Sequence, residues 1–305
     1  MFEYQRDYFE KLRGQHLKVI LNLVLFSIFL GVLFLLAGGI AAIIIAGSVS
    51  TIDATGSNAL SIFGVIFSII FFLLFAIFVL IPLNFSYYNY YFLAYEENIS
   101  RFIHGLFPFQ KGRYLKSLGL AVVLILIGFA TNIFVNIVTG PIFYGGGFGF
   151  TDVDNFSNVV VDSIGAILLL FIGIIVTVFL NILVQVFVAN TWFRHLEKAQ
   201  NTFGDKVSTG FNIISKNFKQ FLKLVISMFL LSLILILIVG ISILLASVII
   251  AFTNSTVLSV LVGILAGLVI LIASIFISYI SYGGFISFYK KNMNYPEETV
   301  EYIEA

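Results

Sequence analysis

Three long apolar blocks, residues 19–83, 117–188 and 224–286, alternate with four polar segments, 1–18, 84–116, 189–223 and 287–305. Each block is interrupted once, near its middle, by a short polar stretch. About 20 apolar residues suffice for a helix to cross the hydrocarbon core, so each half-block is long enough to span. The pattern predicts six helices, at about 19–46, 60–83, 117–139, 163–188, 224–252 and 257–286. The first and fifth are longer than a perpendicular crossing needs, which predicts tilt or protrusion. The interruptions 47–59, 140–162 and 253–256 become the turns of three helical hairpins. The middle turn holds Gly145, Gly146, Gly147 and Gly149, then Asp152 and Asp154. Such glycines suit tight turns, and the aspartates match no EF-hand spacing.

The polar segments carry a pattern of their own. In 203–222, Phe203, Val207, Phe211, Ile214, Phe218 and Phe221 recur at helical spacing, with Asp205, Lys206, Lys216 and Lys219 between them. That predicts one amphipathic helix lying at the headgroup boundary, its lysines in water. Residues 96–109, with Ile99, Phe102, Ile103, Leu106 and Phe107, predict a second, and residues 2–12, with Phe2, Tyr8, Phe9 and Leu12, a third.

Charge orients the hairpins. All sixteen Lys and Arg lie in the four polar segments, and none lies in a hairpin turn. By the positive-inside rule, both termini and every polar segment are cytoplasmic. Hydrophobic residues make up 60% of the chain and charged residues 10%, against about 25% charged in a soluble domain. The surplus apolar surface needs lipid. A net charge of +1 argues against a nucleic-acid partner. With no Cys, disulfides and thiolate chemistry are excluded. The run from Val19 to Ala46 is too long for the apolar core of a signal peptide and reads as a retained helix.

The segments leading into the hairpins align without gaps. Gly14-Gln15-His16-Leu17-Lys18 matches Gly112-Arg113-Tyr114-Leu115-Lys116 and Lys219-Gln220-Phe221-Leu222-Lys223. Each supplies a ring, then Leu, then Lys. The exits match as Tyr91-Phe92, Trp192-Phe193 and Ser287-Phe288, at separations of 75, 78 and 66 residues from the shared Leu. The chain thus reads as a single integral membrane domain of three parallel repeats, about 1–98, 99–202 and 203–305, each a short interfacial helix and a hairpin. An aromatic belt with snorkelling lysines would produce any one of these matches alone.

On the segments Tyr8–Leu21, Ile99–Leu120 and Asp205–Leu224, the chain resembles uncharacterised bacterial six-helix integral membrane proteins. These are similar in turn to the membrane domain of some glycerophosphodiester phosphodiesterases. The resemblance implies a bacterial inner-membrane architecture. It brings no catalytic residue, because the phosphodiesterase domain has no counterpart here.

Candidate chemistry is sparse. No acidic or basic residue lies inside a span, where proton-coupled carriers usually bury carboxylates, apart from Asp162 at the very outer end of the fourth. No P-loop, H-E-x-x-H or G-x-S-x-G motif occurs, and no cofactor or metal site is expected. His16, His104 and His195 fall at the cytoplasmic boundary and read as snorkelling rings. Tyr87, Tyr88, Tyr90, Tyr91 and Tyr95 read as an interface belt, or as a headgroup surface beside Arg101 and Lys111. Asn132 with Asn136, and Asn181 with Gln185, lie four apart on the third and fourth helices. An amide in lipid needs a partner, so both pairs are expected to face the bundle, either as interhelical bonds or as the lining of a polar cavity. Gly263-x-x-x-Gly267 predicts close helix contact.

The sequence reading is therefore an all-α polytopic membrane protein without enzymatic activity, binding lipid or a protein partner in the cell envelope. Its expected headgroup contacts are Lys18, Arg101, Lys111, Arg113, Lys116, Lys216, Lys219 and Lys223, facing anionic lipid on the cytoplasmic side. The alternative is a channel or uncoupled carrier built on the amide faces. An enzyme acting on headgroups would have only Glu96, Glu97, His104 and His195 to draw on.

Overall fold

The computed structural model describes residues 2–55, 59–97, 100–110, 112–145, 164–252 and 256–293. Helices and their connecting turns account for these residues, with no strand among them. In chain order they are α1 (Glu3–Lys11), α2 (His16–Thr55), α3 (Ala59–Phe75), a π-helical turn (Ala76–Leu80), α4 (Ile81–Asn84), α5 (Ser86–Glu97), a 3₁₀ helix (Phe102–Phe109), α6 (Tyr114–Gly145), α7 (Ile164–Glu197), α8 (Phe203–Lys216), α9 (Phe218–Ala251) and α10 (Thr256–Asn292). Six helical stretches are long and apolar enough to cross a membrane: His16–Ser50, Ile62–Glu96, Tyr114–Pro141, Phe171–Glu197, Phe218–Ala251 and Thr256–Asn292. The shortest, 27 residues, is about 40 Å long at 1.5 Å per residue. The architecture is that of a multi-pass membrane protein.

Helix continues into the first two expected turns. α2 runs on through Ser50 and Asp53 to Thr55. Ser, Thr and Asp lower helix propensity without ending a helix, and the first Gly after Gly47 is Gly56. Likewise α6 continues to Gly145. The remainder of the 140–162 turn up to Asp162, with Gly146, Asp152 and Asp154, lies outside the described residues.

The chain divides into two compact bodies. One comprises Lys11–Ile133 with Trp192–Lys206; the other comprises Met1–Glu10, Phe134–Thr191 and Val207–Ala305. In the first body, α2 and α3 approach closely: a Cβ on Gly64 would overlap the Ser48 side chain, and Ser68 Oγ donates to Ala41 O at 3.2 Å. Small residues allow this approach, as is usual between helices in lipid. The second crossing is not a regular helix. Ile81 N–H reaches back to Ala76 O, a five-residue π bond, and Pro82 follows directly, where it supplies no donor.

In the second body one face of α1 is packed against the long helices. Gln5 is buried, and its Nε2 donates to Ser227 Oγ at 2.9 Å. Tyr8 is fully buried against the Tyr279 ring, 5.6 Å away. A Cβ on Gly283 would fall 2.3 Å from that Tyr8 ring, so Gly283 is required for the seat. Asp7 accepts from Ser287 Oγ at 2.6 Å and pairs with Lys291 Nζ at 3.1 Å.

The other two expected amphipathic helices differ from expectation. Arg101 is extended (φ −131°, ψ 144°), and Phe102–Phe109 winds as a 3₁₀ helix containing Pro108. With no amide hydrogen at Pro108, an α ladder cannot continue there. The 203–222 segment is two helices, broken at Asn217 (φ −118°, ψ 38°). Asn217 Nδ2 donates to Ile213 O at 3.1 Å and to Asn292 O at 3.3 Å. Phe218, Lys219 and Phe221 therefore belong to the first turns of α9. On α8, Gly210, Ile213 and Ile214 are buried while Phe203 and Phe211 are exposed. Gly210 sits against α7, where a Cβ would lie 2.2 Å from Thr191 Oγ1.

Candidate functional site

The polar groups of the first body converge at one end of α6 and α7. Trp192 anchors the cluster. It is fully buried and stacks on Phe85 with centroids 4.8 Å apart. Its Nε1 donates to Asn89 Oδ1 at 2.9 Å, and Asn89 Nδ2 donates to His104 O at 3.1 Å. Both polar ends of a buried Asn are thus satisfied, as burial demands. The tyrosines placed at an interface belt are largely core here: Tyr88, Tyr90 and Tyr91 are buried, and Tyr90 Oη donates to Phe102 O at 2.6 Å. Around Asn89 the helix turns them inward.

One turn beyond Trp192 lies His195, also fully buried rather than snorkelling. Its Nε2 is 2.9 Å from Ser117 Oγ, and its ring meets Trp192 and Phe107 edge-on. Nδ1 has no hydrogen-bond partner among the described residues. A nucleophilic Ser–His pair needs a third group to orient the base. Among the described residues no carboxylate meets Nδ1, and Ser117 is itself fully buried. Among the described residues, no group of three potential metal ligands occurs.

Cations surround this pair. The charges of Lys206, Arg113 and Lys116 all act on His195. Lys206, expected in water, is only 3% exposed. Its Nζ donates to Ala199 O at 2.9 Å. Burial, with the Lys116 charge beside it, pulls the Lys206 ammonium below its usual range, and Asp205 opposes this. Lys116 Nζ donates to Gln200 Oε1. Arg113 lies over the Phe107 ring, 4.3 Å from its centroid, and donates to Gln110 Oε1 at 3.2 Å. Among the described residues none of these three cations forms a salt bridge. The nearby carboxylate is engaged elsewhere: Asp205 accepts from Asn201 Nδ2 at 2.6 Å and pairs with Arg194 Nε at 3.2 Å. These contacts, the Asn201 bond foremost, hold the Asp205 carboxyl below its ordinary value.

Of the expected headgroup contacts, the structure brings together Arg113 and Lys116. Lys18 and Arg101 are exposed in the same body, while Lys216, Lys219 and Lys223 are exposed in the other. Lys111 lies outside the described residues. Asn132, Asn136, Asn181 and Gln185 are exposed. Asn181 shows how an amide can manage this: its Nδ2 donates to Thr177 O of its own helix at 2.8 Å. Gly263 and Gly267 are exposed too, with no atom within 4 Å of an added Cβ.

Sequence reasoning missed Ser117 and Asn89. A signal for Ser117 was present in the aligned leading segments. The position after the shared Leu-Lys is Val19 in the first and Leu224 in the third, and a lone hydroxyl among aliphatics marks a polar partner. Compared with protein-family models, curated proteins and solved structures, the chain matches none.

Proposed function

We propose that this chain is a non-enzymatic membrane protein that binds anionic phospholipid headgroups at its basic face. In this reading the six spans form three parallel hairpin repeats, with both termini and all Lys and Arg on the cytoplasmic side of a bacterial inner membrane. The arrangement around His195 carries the reading: Arg113, Lys116 and Lys206 converge there, bonded to neutral oxygens or set over a ring, while the carboxylate beside Lys206, Asp205, is already paired with Arg194. Cations in excess of the carboxylate beside them favour an anion, and anionic lipid is concentrated at the cytoplasmic surface.

Burial supports the repeat. Val19, Ser117 and Leu224, each two places after the shared Leu, are fully buried. The three exit pairs, Tyr91-Phe92, Trp192-Phe193 and Ser287-Phe288, are buried as well. The exposed Phe203 and Phe211 on α8 support a helix whose outer face enters lipid.

The test is lipid selection. The wild-type protein, reconstituted in nanodiscs of mixed phosphatidylglycerol and phosphatidylcholine, should retain phosphatidylglycerol preferentially on re-extraction. The combined R113Q, K116Q and K206Q variant should retain the two in proportion to supply. Equal retention by both proteins would sink the reading.

A further inference from the structure

The first body holds a groove of about 430 Å³ between α2, the π turn and α6. That is within the range of about 300–1,000 Å³ usual for small-molecule sites. Leu30, Gly31, Phe34, Ala76, Leu80 and Ile125 line it, and Asn84 is the one amide among its walls. Three observations separate this groove from ordinary lipid-facing surface.

The first is the concavity. The helix at Ala76–Leu80 is widened by its π turn, and Gly31 opposite contributes no side chain. π bulges of this kind are frequent at functional sites. The second is Asn84. It is exposed, and its amide makes no hydrogen bond among the described residues. An amide at the rim of an apolar channel calls for an oxygen-bearing ligand. The third is charge. Tyr114 Oη donates to Phe78 O at 2.8 Å, between groove residues Ala76 and Leu80. That bond ties the segment bearing Arg113 and Lys116 to the groove wall.

We propose that the groove is the acyl-chain half of a specific phospholipid site. One chain of a single anionic glycerophospholipid lies along Leu30, Phe34, Leu80 and Ile125. Its ester or phosphate oxygens accept from the Asn84 amide, and Arg113 and Lys116 draw its headgroup. This rests on the headgroup reading above and adds to it one bound molecule with a defined chain position.

Gly31 offers a clean test, because a Cβ added there meets no atom within 4 Å. Gly31→Leu therefore adds bulk to the groove from a position where its β-carbon meets no protein. Native mass spectrometry of the full chain, extracted from phosphatidylglycerol–phosphatidylcholine nanodiscs, counts retained lipids. The wild type should keep one phosphatidylglycerol. Gly31→Leu should lose it, and Asn84→Leu should weaken retention roughly fivefold, about what one hydrogen bond is worth. Circular dichroism and melting of both variants should match the wild type. R113Q with K116Q should still retain one phospholipid but without preference for the anionic one. Unchanged phosphatidylglycerol retention in Gly31→Leu would overturn the groove while leaving the headgroup reading intact. No preference for phosphatidylglycerol in the wild type would overturn both.

Discussion

Tyr114 caps the carbonyl of Phe78, its hydroxyl 2.8 Å from the oxygen. Phe78 stands four residues before Pro82, so in an α ladder its carbonyl would wait for a donor that proline lacks. The π turn places Ile81 N–H on Ala76 instead, and a side chain from another helix serves the Phe78 carbonyl. An unserved carbonyl in hydrocarbon is costly. Tyr114→Phe should lower stability by about 0.6–1.7 kcal/mol, the range measured for side-chain hydrogen bonds between membrane helices. Detergent unfolding of Tyr114→Phe, Pro82→Ala and the double variant checks the cause. The loss should shrink in the Pro82→Ala background, where a backbone donor returns. An equal loss in both backgrounds would mean that Tyr114 acts through packing alone.

The cluster at Asp205 and Lys206 predicts two opposite pH dependences. Asn201 and Arg194 hold the folded Asp205 carboxyl below its ordinary 3.8. Its contribution is complete above that unfolded value and is lost as pH falls through the lower folded one. Asp205→Asn should therefore flatten the acid limb of the stability curve. Lys206 has a folded value below its ordinary 10.5, chiefly through burial. The unfolded chain then holds the proton more firmly, and stability rises with pH up to 10.5. Lys206→Met should remove that alkaline rise and leave the protein as stable or more stable at neutral pH. It should also bind phosphatidylglycerol less well. A Lys206→Met protein that keeps the alkaline rise would assign it to another group.

How far the fold could be read from sequence varied with the physics involved. Hydropathy determines which stretches need lipid, so the six long helices were legible from the three apolar blocks. Boundaries were less so, because Ser50 and Asp53 are polar without breaking a helix. The 203–222 periodicity identified two apolar faces as one. Phe203 and Phe211 point outward while Ile213 and Ile214 pack inward, and nothing in the spacing separates lipid from protein. The site was legible only in part. Arg113 and Lys116 carry charge next to a span and are visible in any alignment of the leading segments. Lys206 and His195 are also visible as residues, but their burial depends on how distant segments pack. The four intramembrane amides were legible as residues but not in what they meet. A helix can satisfy an amide from its own backbone, as Asn181 does with Thr177.

The absence of cysteine makes topology directly measurable, since any introduced thiol is unique. Cysteines at Lys18, Lys116 and Lys219 should react with a membrane-impermeant maleimide only from the cytoplasmic side, and those at Thr55, Asp152 and Ser255 only from the outside. One reversed site would break the three-hairpin orientation. Spin labels on the same scaffold address α8. A label at Phe211 should collide with lipid-soluble oxygen, and one at Lys216 with a water-soluble relaxer. Equal behaviour at the two positions would remove α8 from the interface.

The central claim, that anionic lipid seats at the basic cluster, has a native reporter. The single tryptophan, Trp192, meets the His195 ring edge-on at 5.3 Å, and the charges of Lys206, Arg113 and Lys116 act on His195. The measurement is Trp192 emission in neutral detergent, titrated with phosphatidylglycerol or phosphatidylcholine at fixed ionic strength. Phosphatidylglycerol should produce a saturable change that weakens as salt screens the cations and disappears in the R113Q, K116Q and K206Q variant. An identical response to phosphatidylcholine, or an undiminished response in that variant, would contradict the account.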